Sequence, residues 1–199
     1  MVDRGETLRI GVLSDTHLPH RLPRLPSSVV ELFANAAVDL ILHAGDVDDL
    51  RSLEPLSQVA PVIAVRGNTH VQDLSSGGAE LPAHLALTFY GRRLVVSHGH
   101  WPGLLEFPIK VLDVVASWLG LLNRARLNQR IIRQLGRRFP WADIIVFGHT
   151  HKPFQAWIGD QFFFNPGAVC QDTVESPSVG LLTLGDEVLE AEIIHLEQG

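Results

Sequence analysis

The chain has 199 residues, of which 46% are hydrophobic and 19% are charged, a composition typical of a folded domain with a sizeable core. Its 16 basic and 22 acidic side chains give a formal net charge of −6, which excludes the overall positive charge typical of nucleic-acid-binding proteins. A single cysteine cannot form an internal disulfide, and the N-terminus shows no apolar signal core, so a cytoplasmic protein is predicted. No transmembrane helix is predicted, because the longest apolar stretch, 111–122, is shorter than the ~20 residues that a membrane span needs.

The first half of the chain alternates predicted strands with predicted helices. Short apolar runs predict three buried strands, at 8–14, 39–42 and 61–65. Helices are predicted between them, the first capped by Ser27 and the second, 50–58, capped by Asp49. This βαβαβ order favours right-handed crossover connections and a largely parallel sheet.

The second half of the chain predicts another sheet. A hairpin is predicted over 85–97, where Gly91 separates two strand-like runs, and 144–147 reads as a further buried strand. Two more hairpins are predicted to turn at Gly159-Asp160 and Gly185-Asp186. The two sheets are expected to pack face to face in one α/β sandwich domain, 1–199, because the sequence shows no repeat and no linker.

Side chains that commonly bind metals follow five of the predicted strands. They are Asp15 with His17, Asp46, Asn68, His98, and His149 with His151. Carboxylate and amide oxygens mixed with imidazole nitrogens suit borderline divalent ions such as Mn, Fe, Zn, Co or Ni. Seven ligands are too many for one closed tetrahedral site, and they fit two ions that share a bridging carboxylate. Any one of these residues alone would more often be a cap, a turn residue or a core histidine, but that explanation is poor for all of them together.

These residues also carry a resemblance to a known family. Five motifs resemble, in chain order, the signature of the calcineurin-like metallophosphoesterases: Asp15-x-His17, Gly45-Asp46, Gly67-Asn68, His98-Gly99-His100 and Gly148-His149-Thr150-His151. The match spans 8–168 and is most similar to the small microbial phosphodiesterase branch, to which the retromer scaffold subunit of eukaryotes is related. Asn165-Pro166-Gly167 resembles a turn of that branch.

The resemblance implies a fold and two metal sites. The fold would be a four-layer α/β/β/α sandwich of two mixed β-sheets flanked by helices. One ion would be held by Asp15, His17, Asp46 and His151. The other would be held by Asp46, Asn68, His98 and His149.

The function that follows is a dinuclear metal-dependent phosphoesterase, and a phosphodiesterase is favoured. A metal-bridging hydroxide would attack phosphorus in line, with Asn68 and His98 orienting and coordinating. The alternatives are a non-catalytic protein-binding scaffold of the same fold, against which the intact ligand set argues, and a phosphomonoesterase or nuclease. The sequence leaves open the natural substrate, the metal in the cell and whether the chain forms a homo-oligomer.

One departure from the family concerns the leaving group. Phosphatase branches of the family place a histidine, taken as the proton donor, where this chain has Thr69. His70 or His100 could substitute as the general acid, and for each of them a plain loop or supporting role is an equally good alternative.

The segment 101–140 is interpreted as a helical insertion, longer than this branch usually carries at that place. Its first half is apolar, and its second half contains six arginines: Arg124, Arg126, Arg130, Arg133, Arg137 and Arg138. They could bind additional substrate phosphate, because guanidinium groups match phosphate oxygens. A solvated helix face, with Leu127, Ile131, Ile132 and Leu135 packed inward, is slightly favoured. A third alternative is that this apolar and basic segment contacts an anionic membrane surface or a lipid-like substrate.

Overall fold

Two five-stranded β-sheets and the helices that cover them make up the described part of the chain. In the computed structural model the described residues are 7–19, 21–68, 81–99, 124–170 and 175–197. They form the strands β1 (Leu8–Leu13), β2 (Leu40–His43), β3 (Val62–Ala64), β4 (His84–Phe89), β5 (Arg92–Ser97), β6 (Ile144–Val146), β7 (Phe154–Ile158), β8 (Gln161–Asn165), β9 (Ser178–Leu184) and β10 (Leu189–His195). The helices are α1 (Ser27–Asn35), α2 (Glu54–Ser57), which follows a 3₁₀ turn at Leu50–Leu53, and α3 (Arg124–Arg138).

The first sheet contains the predicted parallel unit. Its order is β10-β9-β1-β2-β3, with β1, β2 and β3 parallel to one another and β9 antiparallel to both β1 and β10. The second sheet has the order β4-β5-β6-β8-β7, in which the central three strands are parallel and the edge strands β4 and β7 are antiparallel to their neighbours. Both sheets are mixed because each predicted hairpin adds an antiparallel strand beside the parallel centre.

The two sheets face each other across a shared apolar core. Ile10 and Val12 of β1 point into this core, where they meet Val96 and Phe164 of the second sheet. Leu13 points the other way, because successive side chains of a strand alternate between the two faces of a sheet.

Helices cover the two outer faces of this pair of sheets. Phe33 of α1 packs with Leu13 on the outside of the first sheet. Ile131 and Leu135 of α3 pack against Phe163 on the outside of the second sheet. The architecture is therefore an α/β/β/α sandwich of two mixed sheets, which confirms the predicted fold.

Local predictions fared differently at the two helix starts. Asp49 caps the 3₁₀ turn, since its side chain accepts a hydrogen bond from the Arg51 backbone N–H. The prediction that Ser27 caps α1 is wrong, because the N-cap is Pro26 and the helix begins at Ser27 with no side-chain cap. Pro26 has φ −60° and ψ 133°, an extended backbone from which the chain turns into the helix at Ser27.

The second half of the predicted insertion forms α3, with its arginines and its apolar side chains on different faces. Leu127, Ile131, Ile132 and Leu135 pack toward the second sheet, as expected. Arg126, Arg130, Arg133, Arg137 and Arg138 are exposed. The first half of the insertion, 101–123, lies outside the described residues. Among the residues described, no helix has both the length and the apolar character needed to cross a membrane.

Candidate metal centre

All seven predicted ligands lie at one edge of the sandwich. Asp15 and His17 follow β1, Asp46 follows β2, and Asn68 follows β3 in the first sheet. His98 follows β5, and His149 and His151 follow β6 in the second sheet. The carboxyl ends of parallel strands meet at the same edge of a sheet, and the face-to-face packing brings the two edges together.

Asp15, His17, Asp46 and His151 form what we call the first ligand group. His151 Nε2 lies 3.4 Å from Asp15 Oδ1, and His17 Nε2 lies 3.5 Å from Asp46 Oδ2. The imidazole rings of His17 and His151 are 5.5 Å apart between centroids. These side chains thus surround a common space in which their nitrogen and oxygen atoms face one another.

Asp46, Asn68, His98 and His149 form the second ligand group. Asn68 Oδ1 lies 2.9 Å from His98 Nε2 and 3.1 Å from His149 Nδ1, and these two ring nitrogens are 3.2 Å apart. Asp46 Oδ2 lies 3.4 Å from His98 Nε2. Because the same oxygen is 3.5 Å from His17 Nε2, Asp46 stands between the two groups.

The donor atoms of the first ligand group fit a cation. Asp15 Oδ1 and His17 Nε2 are buried and have no hydrogen-bond partner among the described residues. They have ion-pair contacts, of 3.4 Å from Asp15 Oδ1 to His151 Nε2 and of 3.5 Å from His17 Nε2 to Asp46 Oδ2. A buried polar atom without a hydrogen bond costs about 1–3 kcal/mol, a cost that a bound ion would offset. Oxygen and nitrogen lone pairs that converge on one space are what a divalent ion requires.

The remaining oxygens of the two carboxylates are held by the protein. Asp15 Oδ2 accepts from Ser14 Oγ at 2.6 Å and from the His149 backbone N–H at 3.0 Å. Asp46 Oδ1 accepts from the Asn68 backbone N–H at 2.8 Å. Each carboxylate is thereby oriented by one oxygen, and its other oxygen points at neighbouring ligands.

A backbone carbonyl orients the ring of His98 in the same way. His98 Nδ1 lies 2.8 Å from Ala44 O, and since a carbonyl can only accept, Nδ1 is the nitrogen that donates. Nε2 is therefore the nitrogen that faces Asp46 and Asn68, which is the arrangement that metal-binding histidines use.

Electrostatics couples the charges of these buried groups. Burial raises the pKa of Asp15, but His151 and His98 lower it by more, so the pKa of this carboxyl lies well below its usual range. Burial also raises the pKa of Asp46, but His98 and His17 lower it by more, so the pKa of this carboxyl too lies well below its usual range. Burial lowers the pKa of His98, but Asp46 and Asp15 raise it to about 9. For His17 burial dominates, and its pKa is lowered.

The backbone around the ligands adopts an unusual conformation. Positive φ angles occur at Asp15 (52°), His17 (48°), Asp46 (60°), His149 (73°) and His151 (58°). Only Ala37 and Tyr90 share this feature among the other non-glycine residues that the structure describes. Each such residue costs on the order of 1–3 kcal/mol, and strain of this kind concentrates at functional sites. Five strained ligands in one cluster indicate a site that the rest of the fold holds in place.

Two glycines are required by close approach between the motifs. A Cβ at Gly67 would overlap the Asp46 carboxylate and backbone, and a Cβ at Gly148 would overlap the Ser14 side chain. The Gly67-Asn68 and Gly148-His149 steps are therefore glycine because each passes directly against the turn that carries another ligand.

A buried polar network holds the His149–His151 loop from behind. Thr150 Oγ1 donates to Asn128 Oδ1 at 2.7 Å, and Asn128 Nδ2 donates to Lys152 O at 3.1 Å. Asn165 Nδ2 donates to Gly148 O at 3.2 Å and lies 3.0 Å from Thr150 Oγ1. The sequence analysis missed Asn128, whose signal is a polar residue on the apolar face of α3.

His43 is adjacent to the centre and supports a turn rather than a ligand position. Its side chain is fully buried, Nδ1 accepts from the Gly45 backbone N–H at 3.2 Å, and Nε2 lies 3.2 Å from Thr16 Oγ1. These contacts hold the Gly45-Asp46 turn. Thr69, His70 and His100, on which the predicted proton donor depends, lie outside the described residues.

Cys170 also reaches the centre, and the sequence analysis gave it no role. Its Sγ and ring nitrogens of His17 and His151 all lie within 4.8 Å of one another. The signal that could have indicated this role is its position three residues after the Asn165-Pro166-Gly167 turn.

The fold and this ligand cluster define the class of protein. The chain is an α/β/β/α sandwich with a histidine- and aspartate-rich candidate metal centre, and it belongs to the calcineurin-like phosphoesterase superfamily, whose domain description matches residues 8–187. The family assignment made from the five motifs is confirmed.

Relatives and solved structures refine the family assignment. A probable metallophosphoesterase of Methanothermobacter thermautotrophicus is 33% identical over 94% of this chain and 91% of its own length. A phosphodiesterase of Methanocaldococcus jannaschii is 23% identical over 88% of this chain and 92% of its own length. The crystal structure of Vps29 from Entamoeba histolytica complexed with zinc is similar in fold, with a TM-score of 0.61 and 19% identity over 94% of this chain and 99% of that one.

Proposed function

We propose that this protein is a dinuclear metal-dependent phosphoesterase that hydrolyses phosphodiesters. The observation that carries the proposal is the position of Asp46 Oδ2, 3.5 Å from His17 Nε2 and 3.4 Å from His98 Nε2. One carboxylate oxygen between two ligand groups is what two ions about 3.5–4 Å apart require of a bridging residue. The phosphodiesterase among the relatives supports a diester substrate.

Each ligand group would hold one divalent ion such as Mn, Fe, Zn, Co or Ni. When bound, the two ions would lower the pKa of water and neutralise the charge on the phosphate oxygens. Asp46 would fix the distance between the ions. Asn68 and His98 would orient the reacting phosphate, and the low exposure of Asp15, His98 and Asp46 would limit access of bulk water to the charges.

The leaving-group proton donor is proposed from the sequence alone. With Thr69 in the place of the usual histidine, His70 or His100 would donate the proton to the departing oxygen. A general acid contributes about 10²–10⁴-fold. Of His70→Ala and His100→Ala, the substitution that removes the donor should therefore slow hydrolysis of alkyl diesters. It should leave hydrolysis of aryl diesters with good leaving groups nearly unchanged. Equal losses on both classes of diester would contradict that role.

We further propose that the chain acts as one cytoplasmic domain with 101–140 as its helical insertion. The described part of that insertion, α3, packs on the second sheet through Ile131 and Leu135, which supports its belonging to the same domain.

A protein-binding scaffold of the same fold is the second candidate, because the five motifs are most similar to a branch to which the retromer scaffold subunit is related. The Vps29 of Entamoeba histolytica is itself described with zinc, so metal binding alone cannot separate a scaffold from an enzyme. Hydrolysis is the property that distinguishes them.

The test is hydrolysis by the metal-reconstituted full chain on a panel of phosphodiesters and phosphomonoesters. We expect up to two ions per chain, faster turnover of diesters, and loss of activity in Asp46→Ala. Asp160→Ala is the matched control, since Asp160 is an exposed carboxylate in the turn between β7 and β8. Two bound ions without hydrolysis of any substrate in the panel would favour the scaffold, and failure to bind ions would rule out the dinuclear centre.

A further inference from the structure

Cys170 lies beside the first ligand group in a position that the proposed mechanism does not use. Its side chain is 1% exposed, and its Sγ lies within 4.8 Å of ring nitrogens of His17 and His151. The segment that carries it is fixed to the end of β1. Cys170 N donates to Asp15 O at 3.2 Å, and Val169 N donates to Ser14 O at 3.1 Å.

The surroundings of this thiol are polar. Val169 packs into the apolar cluster under α1, whereas Cys170 belongs to none of the three apolar clusters of the described residues. An Arg21 guanidinium N–H lies 4.0 Å from the sulfur, a contact that favours negative charge on it. A cysteine that served only as a small apolar side chain would not face two imidazoles and a guanidinium.

An independent observation points to a ligand at the same place. His17 is 5% exposed, and its Nε2 atom has no hydrogen-bond partner in the described part of the chain. A ring nitrogen of this residue lies within 4.8 Å of the sulfur. An ion bound here would give this buried nitrogen a partner and would lie within reach of the thiol.

We propose that Cys170 is a further ligand of the ion in the first ligand group when that ion is zinc or cobalt, an inference that rests on the proposed metal centre. On binding, the S–H bond breaks, the proton passes to solvent, and the sulfur donates an electron pair to the ion. Zn–S bonds of ~2.3 Å and Zn–N bonds of ~2.0–2.1 Å place two ligands of one ion at most ~4.4 Å apart. At the angles of a tetrahedral zinc site the sulfur and a ring nitrogen would lie ~3.6 Å apart, so atoms that now lie within 4.8 Å of one another would approach by at most about 1.2 Å.

The consequence is a difference in metal preference between the two ligand groups. Thiolate selects zinc over manganese, whereas imidazole, amide and carboxylate ligands accept manganese as well. The first ligand group should therefore prefer zinc or cobalt more strongly than the second.

Cobalt(II) substitution of the full chain tests the ligand directly. In the wild type we expect d–d bands together with a sulfur-to-cobalt charge-transfer band in the near ultraviolet. Cys170→Ser and Cys170→Ala should lose the charge-transfer band and bind zinc about 10–100-fold more weakly, while manganese binding changes little. Val169→Ala is the matched control, because it opens the same loop without removing the sulfur, and it should keep the band.

The outcomes separate this inference from the proposed function. Bound cobalt with d–d bands but no charge-transfer band in the wild type would overturn the role of Cys170 and leave the metal centre intact. A wild type that binds no cobalt would overturn the metal centre itself.

A thiol reagent gives a second measurement that needs no variant, because Cys170 is the single cysteine of the chain. Zinc should slow the labelling of the wild-type thiol at least about tenfold, which matches the smallest change in zinc affinity expected when Cys170 is removed. A chelator should restore the rate. Labelling that zinc leaves unchanged, in protein shown to hold zinc, would overturn the proposal even if both cysteine variants failed to fold.

Discussion

The two ligand groups of the centre differ in how far their side chains satisfy one another. In the second ligand group, Asn68, His98 and His149 contact each other at 2.9–3.2 Å, and His98 is also held by Ala44 O. In the first ligand group, Asp15 Oδ1 and His17 Nε2 have no hydrogen-bond partner within the described ranges. The second group is thus largely organised by the protein, whereas the first depends on what binds there.

The same contrast appears in the charges of the two groups. His98 is buried next to two carboxylates and has a pKa raised to about 9, whereas burial lowers the pKa of His17. In the absence of ions a proton on His98 balances part of the negative charge of the second group. In the first group His151 lowers the pKa of Asp15, but burial disfavours charge on His17, so an ion should change the stability of that group more.

Removal of the shared carboxylate should have the largest effect. Asp46→Asn keeps the shape of the side chain but weakens both groups at once, so we expect a loss of activity of more than about 10²–10³-fold, the loss caused by removing one charge-stabilising group. Elemental analysis should find fewer than one ion per chain. Asp15→Asn is the comparison, because Asp15 is proposed to hold the ion of the first group and not to bridge the two ions, so this variant should leave about one ion. Equal metal contents in the two variants would show that Asp46 is not shared.

Separate removal of one histidine from each group should show which group depends more on a bound ion. An ion at 100 times its Kd stabilises a folded protein by about 2.7 kcal/mol. Because the first group gains more from an ion, His17→Ala should lose more of the zinc-dependent rise in Tm than His149→Ala. Calorimetry with and without zinc gives the two shifts. A larger loss in His149→Ala would reverse the contrast drawn from the unsatisfied atoms.

The loop that serves both groups should respond to α3. Asn128→Ala removes two hydrogen bonds that hold Thr150 and Lys152, and each is worth about 1 kcal/mol. We expect a loss of about 2 kcal/mol in unfolding free energy by urea denaturation and weaker binding of ions at both groups. The neighbouring Gln129 is exposed, so Gln129→Ala serves as the control. A stability loss with unchanged affinity for both ions would assign Asn128 to folding alone.

The smallest expected effect is on the pH dependence of the ion-free protein. His98 has a folded-state pKa above its ordinary value of 6.5, so its contribution to stability is fully present below that value and is lost as pH rises toward about 9. His17 has a lowered pKa, so it acts in the opposite sense and reduces stability as pH falls below 6.5.

Thermal unfolding in the presence of a chelator, measured from pH 5 to about pH 9, should separate these two effects. His98→Gln should flatten the alkaline side of the profile, and His17→Gln should flatten the acidic side. If each substitution altered the opposite side, the charge assignment of the two groups would be wrong.

Much of the fold was predictable because it depends on local pattern. The apolar runs of β1, β2 and β3 and the helices between them indicated a parallel unit, and the glycine turns indicated the hairpins. At Tyr90-Gly91 both residues have positive φ, 50° and 72°, as a two-residue hairpin turn requires. The start of α1 was mispredicted because a serine and a proline next to each other both favour a helix start, and the proline occupies the cap.

The seven candidate ligands could be named from the sequence because each follows a strand and fits a motif. Their division into two groups came only from the resemblance. No local pattern indicated that Asp46 Oδ2 faces two histidines, or that Ala44 O sets the ring of His98. The positive φ angles at Asp15, His17, Asp46, His149 and His151 were equally absent from the pattern. Such strain persists only because surrounding contacts over-determine it.

The order of strands and helices along the chain, and the five motifs that indicate the family and the residue types at the centre, could be predicted because each depends on neighbours within a few positions of the chain. The tertiary structure decided which atoms meet. His149 N reaches Asp15 Oδ2 across 134 positions, and the Arg21 guanidinium reaches Cys170 Sγ across 149. Contacts of that range are set by the face-to-face packing of the two sheets and by the exclusion of water between them, and no local pattern in the sequence encodes them.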